Sequence, residues 1–463
     1  MTLQRIRNYI WRFRLAIQGN SLQYTDKLKK WQWLDPEATN LLQKKHLESL
    51  LRYTYQFVPY YREVLSSSKV VDNYGNVNVN NFTDIPLLDK NIIRSRTKEL
   101  ITTDLSVGKC YENTSGGSTG EPVRFLQNNK YYSWNSAITL LQDEWMGHST
   151  GKRLVQLWGS ERDLFVGKES LKIRMSRCLR NVVCLNAFHI TPLMMQKHVD
   201  EINRFKPTHI LAYVESLYDL ARYVDRQGQG IHSPESIMVT AGTLDPHMRA
   251  TIEKVFNSSV FNRYGSREVG AIACECNEHQ GLHVTAPTHY IEILRPNRTS
   301  AQPGEVGEIV VTLLTNFSMP LIRYRIGDMG AWAKRKCSCG RGWPLLQEVK
   351  GRVTDVFYKR DGAAVHGEYF THLFYNQDWV EKFQVIQEDF DLIRVLIVLY
   401  NQSSRAFKNI KDLEIITQKI RIVMGQQCQV HHYFVDHIDA TPSGKFRYNI
   451  SKLHNESVSP STI

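Results

Sequence analysis

Through residues 1–65 apolar side chains recur every three or four positions, the period of helices with one buried face. Ile6, Ile10, Phe13 and Ile17 make one such stripe, and the segment from Glu37 to Tyr55 makes another that ends before Pro59. Residues 66–85 lose the period: Ser66, Ser67 and Ser68 lead into an Asn/Val-rich stretch that reads as a loop. Farther on, short β-rich runs alternate with helical ones. The pattern predicts strands at Arg153–Trp158, His209–Tyr213 and Ile309–Leu313, with helices at Thr191–Phe205 and Ser216–Gln227. Alternation of this kind indicates an α/β architecture. Past Asp355 a strand at Leu392–Tyr400, a helix at Ile410–Met424 and a strand at Gln429–Val435 describe a small α+β domain. The division expected is a helical segment at 1–65 that forms part of a large α/β domain, the rest of that domain at 66–354, and a small domain at 355–463. No internal repeat is visible.

Composition narrows the class without choosing a function. A chain of 463 residues can bury a large core in two or three domains. No apolar run approaches the ~20 residues of a membrane span. The longest candidate, Leu392 to Tyr400, is broken by Arg394. The N-terminus lacks the apolar core and small-residue site of a signal peptide, so a cytoplasmic protein is expected. The net charge of +12 leaves nucleic acid, a membrane surface and phosphorylated substrates all open. Much of that excess sits at the start, where Arg5, Arg7, Arg12 and Arg14 precede the first acid, Asp26. They fall on both flanks of the Ile6–Ile10–Phe13–Ile17 stripe. Residues 1–18 therefore read either as an interfacial helix, giving peripheral contact at an inner membrane face, or as a helix docked on the main domain.

Chemistry concentrates in a few loops. In Asn113-Thr114-Ser115-Gly116-Gly117-Ser118-Thr119-Gly120-Glu121-Pro122, glycines allow backbone N–H groups to approach a polyphosphate and hydroxyls add donors. The loop lacks the Gly-Lys-Ser/Thr ending of a Walker A motif and the preceding strand and following acid of a dinucleotide fingerprint. Asn262-Arg263-Tyr264-Gly265-Ser266-Arg267-Glu268 follows the strand-like Val260-Phe261, presenting a flat ring beside a glycine turn and a carboxylate able to hold magnesium. Leu321-Ile322-Arg323-Tyr324-Arg325-Ile326-Gly327-Asp328 delivers an Asp that can accept both hydroxyls of a ribose. Gly351-Arg352-Val353-Thr354-Asp355 and Ser443-Gly444-Lys445-Phe446-Arg447 follow. Each alone reads equally as a turn or strand end. Of eight cysteines, Cys274, Cys276, Cys337 and Cys339 cluster in pairs, with His279 and His283 close by. In a cytoplasmic chain that pattern points to a structural zinc site rather than disulfides.

Together and in this order the motifs resemble the adenylate-forming superfamily, from about Leu47 to Lys452, and within it the phenylacetate–CoA ligase type and its CapK-like capsular polysaccharide relatives. Val58-Pro59-Tyr60-Tyr61-Arg62, Arg323 to Asp328 and Cys337-Ser338-Cys339-Gly340-Arg341 carry the branch resemblance. It implies a large multi-layer ATP- and acyl-binding domain, a small mobile C-terminal domain, and activation of a carboxylic acid as acyl-AMP before transfer to coenzyme A or an amine. Thr114, Ser115, Gly116, Gly117, Ser118, Thr119 and Gly120 would wrap the β- and γ-phosphates, with Thr119, Glu268 and Lys445 as the catalytic set. Asn262, Tyr264 and Gly265 would form the adenine side, Asp328 and Arg352 would hold the ribose, and Glu268 would bind magnesium. Asp355 would be the hinge. The branch pattern selects Cys276, His283, Cys337 and Cys339 for zinc, with Cys274 as understudy. Two departures stand out: Glu121 where the loop often has Lys, and Thr243 where relatives often carry an acid, so Ala241 and Gly242 are kept for their backbone. Trp158, Phe188, His189 and Tyr213 are candidates for the acyl pocket. The competing readings are a catalytically silent scaffold in a polysaccharide-assembly complex and a basic, zinc-containing nucleic-acid-binding protein. No aromatic-basic recognition motif supports the latter, and no nucleic-acid partner is expected.

Overall fold

The helical period at the start of the chain becomes α1 (Leu3–Gln18), α2 (Ser21–Trp31), α3 (Pro36–Phe57) and α4 (Pro59–Ser67), followed by the short α5 (Lys90–Ser95) and α6 (Thr97–Leu100). The computed structural model describes residues 3–72, 74–114, 123–158, 171–187, 192–242, 244, 246–295, 297–350, 356–361, 363–374, 377, 379–399, 408–438 and 449–453. Helix α3 begins where Asp35 accepts a hydrogen bond from the Ala38 N–H at 2.8 Å, and Pro36 occupies a first-turn position that needs no donor. The stretch expected as loop contains a 3₁₀ turn, Val79–Asp84. Helix α1 is docked, but not through the stripe that marks it in sequence. Leu15 is buried, Trp11 lies beneath Arg180, and the Asn8 amide donates to the Thr150 carbonyl at 3.1 Å. Ile6, Ile10 and Phe13 stay exposed on the opposite side.

A hairpin of β1 (Cys110–Thr114) and β2 (Arg124–Asn128) leads into α7 (Asn129–Trp145). Then come β3 (Leu154–Trp158), α8 (Leu171–Arg180), β4 (Val182–Asn186), α9 (Pro192–Phe205), β5 (His209–Tyr213), α10 (Val214–Gln227), β6 (Ser236–Thr240), α11 (Pro246–Phe256) and β7 (Val260–Ser266). Strands β4, β3, β5, β6 and β7 lie side by side and parallel, with Val155, Ile210, Ile237 and Val260 in one core against α10 and α11. The chain then turns antiparallel through β8 (Gly270–Glu275), β9 (Leu282–Val284), β10 (His289–Leu294), β11 (Gly307–Leu313), β12 (Tyr324–Trp332) and β13 (Leu345–Lys350). All eleven form one sheet in the order β10-β11-β12-β13-β9-β8-β7-β6-β5-β3-β4. Strand β7 belongs to both halves: Val260–Asn262 pair parallel with β6, and Arg263–Ser266 pair antiparallel with β8.

The C-terminal elements make their own layer. Strands β14 (Val356–Tyr358) and β15 (Ala364–His366) precede α12 (Gly367–Phe374), β16 (Val380–Asp389), β17 (Leu392–Leu399), α13 (Lys408–Met424), β18 (Gln429–Phe434) and β19 (Asn449–Ser451). The sheet order is β18-β17-β16-β19, and one face buries Phe383, Val385, Ile393, Val395 and Ile397 under Tyr369, Phe370, Ile416 and Ile420 of the two helices. This is the small α+β unit that the sequence pattern describes.

An internal ion pair fixes where β12 starts. Arg323 is buried, in the left-handed region at φ 50°, and its guanidinium meets Glu292 at 2.9 and 3.0 Å while donating to the Thr83 and Ile85 carbonyls. Leu88 then bonds both flanks of Tyr324, donating to the Arg323 carbonyl and accepting from the Arg325 N–H, each at 2.9 Å.

Two interior histidines make the fold acid-sensitive. His209 and His289 are fully buried, and burial is the first cause that pushes each pKa down to about 4 from the ordinary 6.5. His209 Nδ1 donates to Ser236 Oγ, which itself donates to the Met146 carbonyl. Between these pKa values the unfolded chain binds more protons than the folded one, so stability is complete above pH 6.5 and falls toward pH 4. Each histidine contributes up to about 1.4 kcal/mol per pH unit in that window. Melting temperatures measured from pH 7.5 down to 5 should fall, and His289→Asn should flatten part of the slope; a level profile in the native chain would refute the assignment.

Candidate functional site

Strand β7 passes from parallel to antiparallel pairing at its middle, so its carboxyl-terminal half joins the two kinds of sheet. Sequence places Tyr264 and Gly265 there, and the structure supplies the local reason. The register of β7 against β8 slips between Tyr264 and Gly265. A Cβ on Gly265 would lie 2.6 Å from the Gly270 carbonyl oxygen, so only glycine permits this approach of two backbones. The slip turns the half-buried Tyr264 so that its hydroxyl donates to Asp328 Oδ2 at 2.9 Å.

Asp328 reaches that position through a second irregularity. The β11–β12 register jumps between Glu308 and Val310, and Gly327 has φ +89° inside the irregular stretch. The Asp328 carboxylate, half-exposed, is thus carried beside Tyr264. The neighbouring arginines do other work. Arg323 is internal, as described, and Arg325 pairs with Glu308 at 2.9 Å on the surface.

Glu268 sits in the loop after β7 and is buried. Its Oε1 accepts the Tyr324 hydroxyl at 3.2 Å. Gln127 of β2, also buried, accepts from the Asn113 amide at 3.2 Å and donates to the Arg267 carbonyl at 3.0 Å. The hairpin that carries the Gly/Ser/Thr loop is thereby fastened to the loop that carries Glu268. Neither Gln127 nor Tyr324 was picked out by motif. Gln127 is an ordinary strand residue in sequence, and Tyr324 shows only as part of the Arg-rich run.

Thr114 ends β1, and its N–H bonds to Asn113 Oδ1 at 2.9 Å. Ser115, Gly116, Gly117, Ser118, Thr119 and Gly120 lie outside the described residues, as do Thr243, Arg352, Asp355 and Lys445. Ala241 follows β6 with φ +64°, a left-handed turn that is uncommon for a residue with a Cβ, and Gly242 is beside it. The Asn262 N–H is held by Glu275 Oε2 at 2.9 Å. Trp158 and Tyr213, at the carboxyl ends of β3 and β5, pack with ring centroids 4.4 Å apart and planes tilted by 41°, while Phe188 and His189 lie outside the described residues.

A second cluster lies on the antiparallel side. Cys276, His283, Cys337 and Cys339 offer ligand atoms that all fall within 4.8 Å of one another. Cys276 Sγ and Cys337 Sγ are 3.6 Å apart, and Cys339 Sγ and His283 Nε2 are 3.4 Å apart. The edges of a tetrahedron around zinc should be about 3.8 Å between sulfurs and about 3.5 Å between sulfur and nitrogen. Burial first, and the Arg341 charge second, push His283 down to about 4, which keeps the imidazole in its neutral, ligating form. Cys274 is not part of this group: it ends its side chain at Met238, 3.8 Å away. The Cys337–Arg341 loop also clasps the N-terminal helices. Arg341 bonds Gln32 at 2.9 Å and lies over Trp33 and Trp145, and Gly342 leaves no room for a Cβ against the Leu34 carbonyl.

Comparison with known proteins supports the fold. Residues 357–452 match the family described as the CapK C-terminal domain. The chain is 25% identical to Protein CapK of Staphylococcus aureus over 417 residues, 89% of each chain. It is 26% identical to the phenylacetate-coenzyme A ligase of Thermus thermophilus over 71% of this chain and 73% of that one. Among solved structures, 2-hydroxyisobutyryl-CoA ligase in complex with 2-HIB-AMP and CoA in its thioesterification state covers 92% of both chains with a TM-score of 0.61 at 17% identity. The same ligase in its postadenylation state gives 0.58. The fold is thus that of a ligase with a large N-terminal and a small C-terminal domain.

The sequence-based expectation that Tyr264, Gly265 and Asp328 hold a nucleotide can be tested at β7. Tyr264→Phe keeps the ring but removes the hydroxyl from Asp328, and should weaken MgATP binding by about three- to tenfold. Gly265→Ala should weaken it further, because the Tyr264 ring itself must move. Titration calorimetry with MgATP measures both; unchanged affinity in Gly265→Ala would exclude this turn from the nucleotide site.

Proposed function

We propose that this chain, a relative of CapK and the phenylacetate–coenzyme A ligases with their adenylate-forming fold, activates a carboxylic acid as its acyl-adenylate and passes the acyl group to coenzyme A. The observation that carries this reading is the convergence of Tyr264, Asp328 and Glu268 at the parallel-to-antiparallel junction of the sheet, tied through Gln127 to the hairpin of the Gly/Ser/Thr loop. In the first step a substrate carboxylate oxygen attacks the α-phosphorus of ATP. The bond to the bridging oxygen breaks, and pyrophosphate leaves. Tyr264 stacks on adenine, Asp328 accepts the ribose hydroxyls with Arg352 assisting, and Thr114 with residues 115–120 donates to the β- and γ-phosphates. Lys445 meets the charge that builds on the α-phosphate. Magnesium held at Glu268 would neutralise phosphate charge. In the second step the thiol of coenzyme A, losing its proton, attacks the acyl carbonyl, and AMP leaves. An amine acceptor would form an amide by the same displacement. A place in surface polysaccharide biosynthesis, which the CapK-like motifs of the sequence imply, is part of the same proposal.

Zinc at Cys276, His283, Cys337 and Cys339 is part of the same proposal, in a structural role. Its donors come from the loops after β8 and β12 and from β9, so a bound ion would lock three antiparallel elements together.

Pyrophosphate exchange with Mg-ATP across a panel of aryl, acyl and amino-acid carboxylates should reveal an active acid; release of ADP and phosphate instead would place the protein in another class. Lys445→Ala should lower exchange by about 10²- to 10³-fold while sparing transfer from supplied acyl-AMP. Intact exchange in that variant would remove Lys445 from the mechanism.

Metal analysis of protein purified without added zinc should find one ion per chain, and Cys337→Ser should lose it. Zinc near zero, or equal zinc in the variant, would sink the metal assignment.

A further inference from the structure

Helix α1 is fixed to the protein by one face and leaves the other bare. Leu15 is 3% exposed and Trp11 is held under Arg14 and Arg180, each 5.4 Å from its ring centre. On the outer side Ile6 is 37% exposed, Tyr9 70%, Ile10 44% and Phe13 60%. These positions follow the i, i+3, i+4, i+7 rule and form one continuous apolar strip. An isolated exposed apolar side chain needs no explanation, but four aligned on a helix do.

The charge around the strip has one sign. At about 100° per residue, Arg7 and Arg14 border one edge and Arg12 the other. Helix α8, against which α1 rests, brings its Arg180 over Trp11 on the docked side and carries an exposed Met175. Neither helix contains an Asp or Glu. The acids nearby, Asp26, Asp143 and Glu144, line the cavity beneath α1 together with Trp11 and Leu15, on the docked side, and Arg12 stands between that cavity and the strip. A helix lying in a lipid–water interface needs this arrangement: an apolar face entering the acyl boundary by about 5–10 Å, with long cations at its edges reaching anionic headgroups. Tyr9 suits the same depth, since its ring is apolar and its hydroxyl polar.

We propose that the outer face of α1, bordered by the helix's own arginines, is a docking surface for an anionic phospholipid membrane, holding the protein at the bilayer surface without crossing it. The described helices include none long and apolar enough to span one. Apolar burial supplies the insertion, and arginine supplies selectivity for negative lipid. Each arginine near such a surface contributes about fivefold in affinity.

The test is flotation of the full chain with vesicles of phosphatidylcholine alone, or of phosphatidylcholine containing phosphatidylglycerol, at low and high salt. Binding is expected only to the anionic vesicles and should weaken as salt screens the arginines. Ile10→Glu with Phe13→Glu should reduce binding by about tenfold or more. Arg7→Gln with Arg12→Gln should reduce it by about 25-fold. Ile10, Arg12 and Phe13 are exposed and Arg7 is half-buried, and an unchanged melting temperature will show that both variants fold. Absence of binding to anionic vesicles at low salt overturns the proposal, as does undiminished binding of the Ile10/Phe13 variant. Sedimentation equilibrium provides the third arm. A native dimer that the Ile10/Phe13 variant converts to monomer, without lipid binding, would make the face a contact between two copies and overturn it equally.

Discussion

Arg323 takes a full positive charge into the interior, where an unpaired ion would cost several kcal/mol. Glu292 answers it through two hydrogen bonds, and two carbonyls of the 83–85 segment take up the remaining donors. The pair is therefore a positional constraint more than a source of net stability. It fixes the left-handed kink at the head of β12 and binds that kink to a segment more than two hundred residues earlier. Everything β12 presents follows from this start: Tyr324 aimed at Glu268, Gly327 in the register jump, and Asp328 against Tyr264. Removing only one partner would leave the other charge buried and unmatched, which typically costs 3–5 kcal/mol.

The same logic runs through the site as a whole. Two strands, β7 and β12, each break register at a glycine, and the two breaks bring Tyr264 and Asp328 within hydrogen-bonding distance. Regular strands would have kept both side chains within the alternation of the sheet. A ligand site at the parallel-to-antiparallel junction thus depends on two local failures of sheet regularity, each made affordable by the lack of a side chain at Gly265 or Gly327.

How much of this can be read from the sequence depends on the range of the interaction concerned. Periodicity is local, and the helices from Glu37 and Ser216 and the strands at His209 and Gln429 lie close to where the pattern puts them. The small C-terminal sheet follows for the same reason. Amphipathic spacing, however, gives a stripe without saying which neighbour covers it. In α1 the conspicuous Ile6–Ile10–Phe13 stripe faces outward, and the less regular Trp11 and Leu15 make the anchor. Roles that rest on distant partners were also hidden: Gln127 acts on Arg267, and Arg323 on Glu292. Cys274 and Cys276, two apart, would share a face in a continuing strand. Because β8 ends at Glu275, Cys276 leaves the sheet for the cysteine cluster while Cys274 stays against Met238.

The clasp around the cysteine cluster has an optical consequence. Trp145 lies 5.9 Å from the His283 ring and 6.0 Å from Trp343, and the Arg341 guanidinium rests on Trp145 and Trp33. Indole emission is sensitive to a nearby cation and to solvent entry, and these three indoles surround one small loop from both of the elements it joins. The state of that loop is therefore written into the intrinsic fluorescence of the protein, and a change in its contact with the N-terminal helices will register as a shift in emission.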